Sequence, residues 1–300
     1  MSSKSPESEE LIDNFIDELW LERGLSKNTL NAYRQDISSF NKWLKTTHLL
    51  EVTKIELLDY LAYRLKKGYS SRSTARSLSS LRALYNQLSN KYNLKENPTA
   101  KIDSPKLGHS LPKVISEEEV ETLIKAPDIK EPIGLRDRAM LELIYACGLR
   151  VSELINLRFE ELFFNEGFIR IIGKGNKQRL VPVSKSVEKE INIYVNNFRR
   201  HKKIKPSQES YVFLNRRGSQ LTRVMIFIII QKLKEKTGIK KKVSPHTFRH
   251  SFATHLIEGG ANLRAVQEML GHESITTTEI YTHLDKDYLR SNIIQFHPRG

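Results

Sequence analysis

The sequence predicts a mainly α-helical chain of two domains, with one small antiparallel β-sheet in the C-terminal domain. Three observations predict it. Apolar residues recur at three- and four-residue steps through most of both halves, the period of a helix with one buried face. Strand-like runs are confined to residues 162–183. Between the halves, SPKLGHSLPKV (104–114) carries two prolines, a glycine and two lysines without a long apolar period, which is linker composition. The expected boundaries are therefore an N-terminal helical domain over 1–103, a linker over 104–113 and a C-terminal domain over 114–300.

The first helix repeats Leu11, Phe15 and Leu19 with Ile12, Ile16 and Trp20, and Gly24 ends it. Ser26 caps a second helix whose stripe is Leu30, Tyr33, Ile37, Phe40 and Leu44. Thr53 caps a third through Ile55, Leu58, Leu61 and Leu65. A fourth, over 70–90, turns Leu78, Leu81, Leu84, Tyr85 and Leu88 inward and Arg72, Arg76 and Arg82 the other way. Asn97-Pro98 closes the block. The second domain opens on a capping box, Ser116 with Glu119. Residues 134–146 are apolar nearly all round, so that helix should be buried. LFF, FIRII and QRLVPV then read as a small antiparallel sheet, with Gly173-Lys174-Gly175-Asn176 as a hairpin turn. The remainder is mostly helix, and the run VMIFIII (224–230) reads as core.

Composition bounds the function. With 39% hydrophobic and 28% charged residues the chain is a globular protein, not a disordered one. The net charge of +14 favours a polyanionic partner, nucleic acid or an acidic membrane surface. Residues 1–110 hold 17 Lys and Arg against 13 Asp and Glu, and residues 111–300 hold 32 against 22, so the C-terminal part carries most of the excess. The single cysteine, Cys147, excludes an internal disulfide framework and sits in an apolar run, as a small buried side chain would. The polar N-terminus does not read as a signal peptide, and seven apolar residues are too few to span a bilayer. An intracellular, cytoplasmic location without membrane insertion is the expectation.

Four segments carry chemistry-bearing residues. GLRVSEL (148–154) holds Arg150, with Glu153 one helical turn on; the pair reads either as a structural ion pair or as a phosphate-holding fork fixed by a carboxylate. IIGKGNKQRLVPV (171–183) places Lys174 at a glycine-flanked tip, where it is a solvated turn lysine or a proton donor to a leaving oxygen. The spacing is not that of a P-loop. SPHTFRHSFATHL (244–256) puts His246 and Arg249 on one helical face, with Ser244 as cap and Pro245 in the first turn. His246 and His250 stand four apart, but Thr247 occupies the place of the glutamate in H-E-x-x-H, so a zinc site is rejected. His250 and His255 read as hydrogen-bonded structural residues. LGHESITTTEIYTH (270–283) adds His272 and Tyr281. A tyrosine hydroxyl, with a pKa of about 10, becomes a nucleophile where cations surround the phosphate it attacks. Two arginines, a lysine, two histidines and a late tyrosine suit the breaking and rejoining of phosphodiesters.

These motifs, together with the LSKNTLNAYRQDISSF segment and the closing FHPRG, resemble the tyrosine recombinase (phage integrase) family, and within it the Xer branch, over the whole chain. The resemblance implies a two-domain DNA clamp: a helical core-binding (SAM-like) domain followed by a tyrosine recombinase catalytic domain. It implies that Tyr281 attacks the scissile phosphate to form a 3′-phosphotyrosine, that Arg150 and Arg249 clamp the non-bridging oxygens, and that Lys174 protonates the leaving oxygen. His246 would act in proton transfer, His272 would help hold the phosphate, and Glu153 would support Arg150. Arg72, Arg76 and Arg82 then become candidates for phosphate contact as well as for a solvated face. No metal and no nucleotide cofactor are expected, because guanidinium and ammonium groups carry the charge and the covalent intermediate keeps the phosphodiester's energy. The implied partners are a double-stranded DNA recombination site, a sister recombinase of the XerC type in a heterotetramer, and a DNA translocase of the FtsK type. Resolution of chromosome dimers at cell division is the implied role. A mobile-element integrase of the same chemistry, or a non-catalytic DNA-binding protein of the same fold, are the alternatives.

Overall fold

The computed structural model describes residues 7–105, 114–173, 177–201, 203–271 and 283–299. The chain divides into two compact units, Met1–Ser110 and Leu111–Gly300, each with its own apolar core.

The first unit is four helices: α1 (Ser8–Arg23), α2 (Lys27–Leu44), α3 (Lys54–Lys66) and α4 (Ser71–Tyr92). Its punctuation is local. Gly24 closes α1 in the left-handed region, its N–H donating to the Trp20 carbonyl. The Ser26 hydroxyl accepts from the Thr29 N–H, and Thr53 and Glu56 form a reciprocal capping box. The α1 and α2 helices pack together, α2 against α4, and α3 against α4, around Phe15, Ile37, Phe40, Tyr60, Leu81 and Tyr85. The expected stripe of α3 needs correction. Ile55, Leu58 and Leu65 are exposed, while Leu57, Tyr60, Leu61 and Arg64 face the core. A helix on the surface of a unit buries one face only, and the Tyr60 ring, 4.8 Å from Phe40 and 5.4 Å from Trp43, decides which. Trp20, expected on the inner face of α1, is exposed.

The second unit opens with α5 (Glu117–Lys125), capped by the reciprocal Ser116–Glu119 box, and α6 (Pro132–Cys147). α6 is the central helix: Ala139 to Cys147 are buried without a break, and it packs against α5, α8 (Lys185–Asn197) and α10 (Pro245–Glu258). Cys147 is fully buried, its thiol donating to the Pro182 carbonyl, and burial pushes its pKa far up. Gly148 closes α6 at φ +58°, and a Cβ there would lie 2.5 Å from the Phe252 ring, so both backbone and packing require glycine. α7 (Val151–Asn156) follows at once.

The sheet is antiparallel in the order β1 (Leu162–Phe163), β2 (Phe168–Ile172), β3 (Gln178–Pro182), with Ile169 opposite Val181 and Ile171 opposite Arg179. The Gly173 N–H donates to the Lys177 carbonyl at 2.8 Å and closes the neck of the hairpin; Lys174, Gly175 and Asn176 lie outside the described residues. β3 also packs against α11 (Leu263–Leu270) and α12 (His283–Phe296). Leu289 and Ile293 of α12 are buried inside this unit, but Ile294 is exposed. The reading of VMIFIII as core holds for one face of the helix and fails for the other, with Met225 and Ile229 packed at the edge of the core. On α9 (Arg223–Thr237), Ile226, Ile230 and Leu233 face inward, whereas Val224, Phe227 and Ile228 are exposed at 66%, 48% and 46%. Residues 224, 227 and 228 share the opposite helical face, which has no core to reach. Among the described residues, no helix is long and apolar enough to cross a membrane.

Candidate active site

Arg150 is the N-cap of α7, two residues after the Gly148 turn. Its backbone N–H donates to Glu153 Oε2 at 2.8 Å and its guanidinium to Oε1 at 2.8 Å, so one carboxylate fixes both ends of the residue. The other fork of Arg150 donates to the Gly271 carbonyl at 3.2 Å. Arg249 reaches the same place from α10, where the Ser244 cap and Pro245 set the helix start as expected. It donates to the Gly148 and Leu270 carbonyls, each at 2.5 Å, and lies 3.8 Å from Glu153 Oε2.

A third arginine, which sequence reasoning did not single out, completes the cluster. Arg179 of β3 donates through Nη1 to Glu153 Oε1 and through Nη2 to Oε2, both at 2.8 Å, and through Nε to the Met269 carbonyl at 2.7 Å. The signal that could have found it is strand phase: Arg179 occupies an inward position in step with Val181, and a charged side chain there needs a buried partner. Glu153 thus accepts four hydrogen bonds, the full capacity of a carboxylate. Three consecutive carbonyls at the end of α11, Met269, Leu270 and Gly271, accept from Arg179, Arg249 and Arg150, where the helix dipole favours cations. Gly271 makes this possible at φ +64°, with a Cβ position only 3.1 Å from Arg179 Cδ.

Among the described residues the charge count is three guanidiniums on one carboxylate. Burial pushes the Glu153 carboxyl up, but the hydrogen bonds and charge of Arg179, then Arg150, hold it below its usual range. Burial and then the neighbouring Arg150 bring Arg249 down to about 10, with Glu153 opposing. At pH 7 that group stays protonated, since removing the proton would still cost about 4 kcal/mol. Arg150 keeps 38% of its side chain exposed, Arg249 keeps 11% and Arg179 keeps 6%. The cluster is therefore cationic, desolvated on one side and open on the other, which is the physical requirement for binding a phosphate oxygen tightly.

His246 is exposed on α10, one turn before Arg249. Lys174, His272 and Tyr281 lie outside the described residues; Gly173, which precedes Lys174, stands against Glu153 and Arg179. His255 is buried and shares a hydrogen bond of 2.9 Å with the Tyr145 hydroxyl, as a structural histidine does. Among the described residues no group of three or more His, Cys, Asp or Glu could hold a metal. The three arginines of α4 belong to the other unit. Arg76 pairs with Asp36 at 2.9 Å, Arg82 donates to Ser104 at 3.2 Å and to the Ile102 carbonyl, and Arg72 is exposed.

Residues 113–287 match the phage integrase family, and residues 12–91 match its N-terminal SAM-like domain. The chain belongs to the phage integrase family. Within this family its relatives include the tyrosine recombinase XerD of Pseudomonas putida, 45% identical over 295 residues that cover 97% of this chain and 98% of that one. The tyrosine recombinase XerD of Pseudomonas aeruginosa is 44% identical over 97% of this chain and 98% of that protein. A solved structure of the XerH site-specific recombinase bound to a palindromic difH substrate, a post-cleavage complex, aligns with a TM-score of 0.69 at 25% identity. That alignment covers 90% of this chain and 80% of the other. The phage integrase chain described here is an enzyme of the tyrosine recombinase type.

Proposed function

We propose that this recombinase cuts and rejoins DNA at a specific site through a 3′-phosphotyrosine formed on Tyr281. The observation that supports it is the sharing of Glu153 by Arg150, Arg179 and Arg249, which among the described residues leaves more positive charge there than carboxylate. The Tyr281 oxygen attacks the scissile phosphorus as its proton is taken up with the help of His246. The bond from phosphorus to the 5′-oxygen breaks, and Lys174 supplies the proton to that leaving oxygen. Arg150 and Arg249 neutralise the non-bridging oxygens through the transition state, and His272 joins them. Rejoining runs the same steps in reverse with a new 5′-hydroxyl. Charge stabilisation by fixed guanidiniums does the work that divalent ions do at other phosphoryl-transfer sites.

The partner is duplex DNA, consistent with the basic excess of +14. The likeness to tyrosine recombinase XerD supports the recombinase reading, and we infer further that the chain resolves chromosome dimers in the cytoplasm with an XerC-type sister recombinase in a heterotetramer and a translocase of the FtsK type. Arg72, Arg76 and Arg82 of the helical unit would contribute phosphate contacts.

The test is a nicked suicide duplex carrying candidate Xer recombination sites, incubated in EDTA without ATP, with an XerC-type partner present. Wild type should form a covalent protein–DNA adduct and Tyr281→Phe none. Binding without an adduct in the wild type would move the non-catalytic reading ahead.

A further inference from the structure

We propose that Arg179 is a positioning residue of the recombinase site, holding Glu153 and the last turn of α11 in the arrangement that leaves Arg150 and Arg249 directed at phosphate. The inference rests on the reading that this cluster binds the scissile phosphate. Arg179 is 5% exposed and turns inward, so no DNA phosphate can reach it as it can reach Arg150. Its fork is matched to both oxygens of Glu153, and its Nε to Met269, in one rigid plane. That plane ties together β3 of the hairpin that carries Lys174, α7 with Arg150, and the α11 turn that precedes His272.

The chemical consequence concerns what Glu153 does with its charge. With Arg179 in place, two of its four accepted hydrogen bonds are already used from the buried side. Arg150 then donates one side-chain bond and one backbone bond to it, and Arg249 stays 3.8 Å away, with its donors on carbonyls. Take Arg179 away and, among the described residues, the carboxylate has Arg150 and Arg249 left to pair with. Both forks would turn toward it and away from substrate. The carboxyl would also lose the main group that holds its proton off. A lysine at this position keeps a charge but cannot span two oxygens and a carbonyl at once.

The experiment uses the full chain on the nicked suicide duplex, with Arg179→Lys, Arg179→Met, Glu153→Gln and the Arg179→Met/Glu153→Gln pair. Adduct rates are followed from pH 5 to pH 9, beside thermal melting and gel-shift affinity for the same duplex. The expected result is cooperative melting and near wild-type affinity for Arg179→Lys, with adduct formation at least tenfold slower. The acid limb of its rate profile should move to higher pH. The sign follows from Glu153: its folded pKa is depressed, so it is ionised over the working range, and losing Arg179 lets it protonate at higher pH. In the Glu153→Gln background, Arg179→Met should add little further loss and no shift of the limb. Wild-type rate and limb in a folded Arg179→Lys would overturn the proposal, and so would fully additive losses with an unmoved limb. If neither Arg179 variant folds, the residue only determines folding and the proposal falls. No adduct from the wild type would instead sink the phosphotyrosine reading itself.

Discussion

The two units of this chain use arginine in opposite ways. In the N-terminal unit the fixed arginines stand apart, each with its own partners. Arg76 pairs with the buried Asp36, which also accepts from Ser80. Arg64 donates to the Tyr60 hydroxyl and Ser73, and lies over the Tyr69 ring at 4.3 Å. In the C-terminal unit Arg150, Arg179 and Arg249 crowd around a single carboxylate, and main-chain carbonyls supply the other acceptors. Carbonyls satisfy N–H donors without cancelling charge. The crowding of several arginines on one carboxylate, not the presence of buried arginine, therefore separates an anion site from a structural arginine such as Arg64, whose partners are hydroxyls and a ring. Such an imbalance is destabilising by itself and persists where something outside the chain completes it.

The contrast can be broken most directly at Arg249. Arg249→Ala removes one fixed charge from the transition state, and adduct formation should fall by roughly 100- to 1000-fold. Single-turnover assays on the suicide duplex measure it; a loss below tenfold would mean that the excess charge is not catalytic. At the matched cluster the effect should be on stability instead. Asp36→Asn leaves Arg76 and Ser80 without their carboxylate. It should cost about 1–2 kcal/mol in urea unfolding, discounted because the Arg76 side chain is 56% exposed. Its adduct rate, once bound to DNA, should stay at the wild-type level. The smallest effect is expected on the exposed face of α9. Ile228→Ser should change stability by under about 0.5 kcal/mol, whereas Ile226→Ala on the inner face should cost roughly 2–5 kcal/mol. Equal losses at both positions would restore the reading of this run as core.

Much of this was legible before any coordinates. The caps at Ser26, Thr53, Ser116 and Ser244 and the hairpin strands are local signals, and each lies where the sequence puts it. Arg150, Glu153 and Arg249 were also readable, because they sit at motif spacings within short segments. What was not legible is long-range. α3 and α9 each carry two apolar stripes, and only packing against the rest of the unit selects one. Arg179 lies 26 residues from Glu153 in sequence, and its pairing depends on where β3 meets α7 and α11.

The acceptors that hold these arginines have a consequence for mutational robustness. Gly148, Met269, Leu270 and Gly271 contribute carbonyl oxygens, and every amino acid carries one. A replacement of Met269 or Leu270 can loosen packing but cannot delete the acceptor. Among the acceptors, Glu153, Gly148 and Gly271 are the ones open to single substitutions, the first through its carboxylate and the glycines through their φ angles of +58° and +64°. A site with a demanding charge pattern is thereby written mostly in backbone, and the number of positions at which chance mutation can erase it is small.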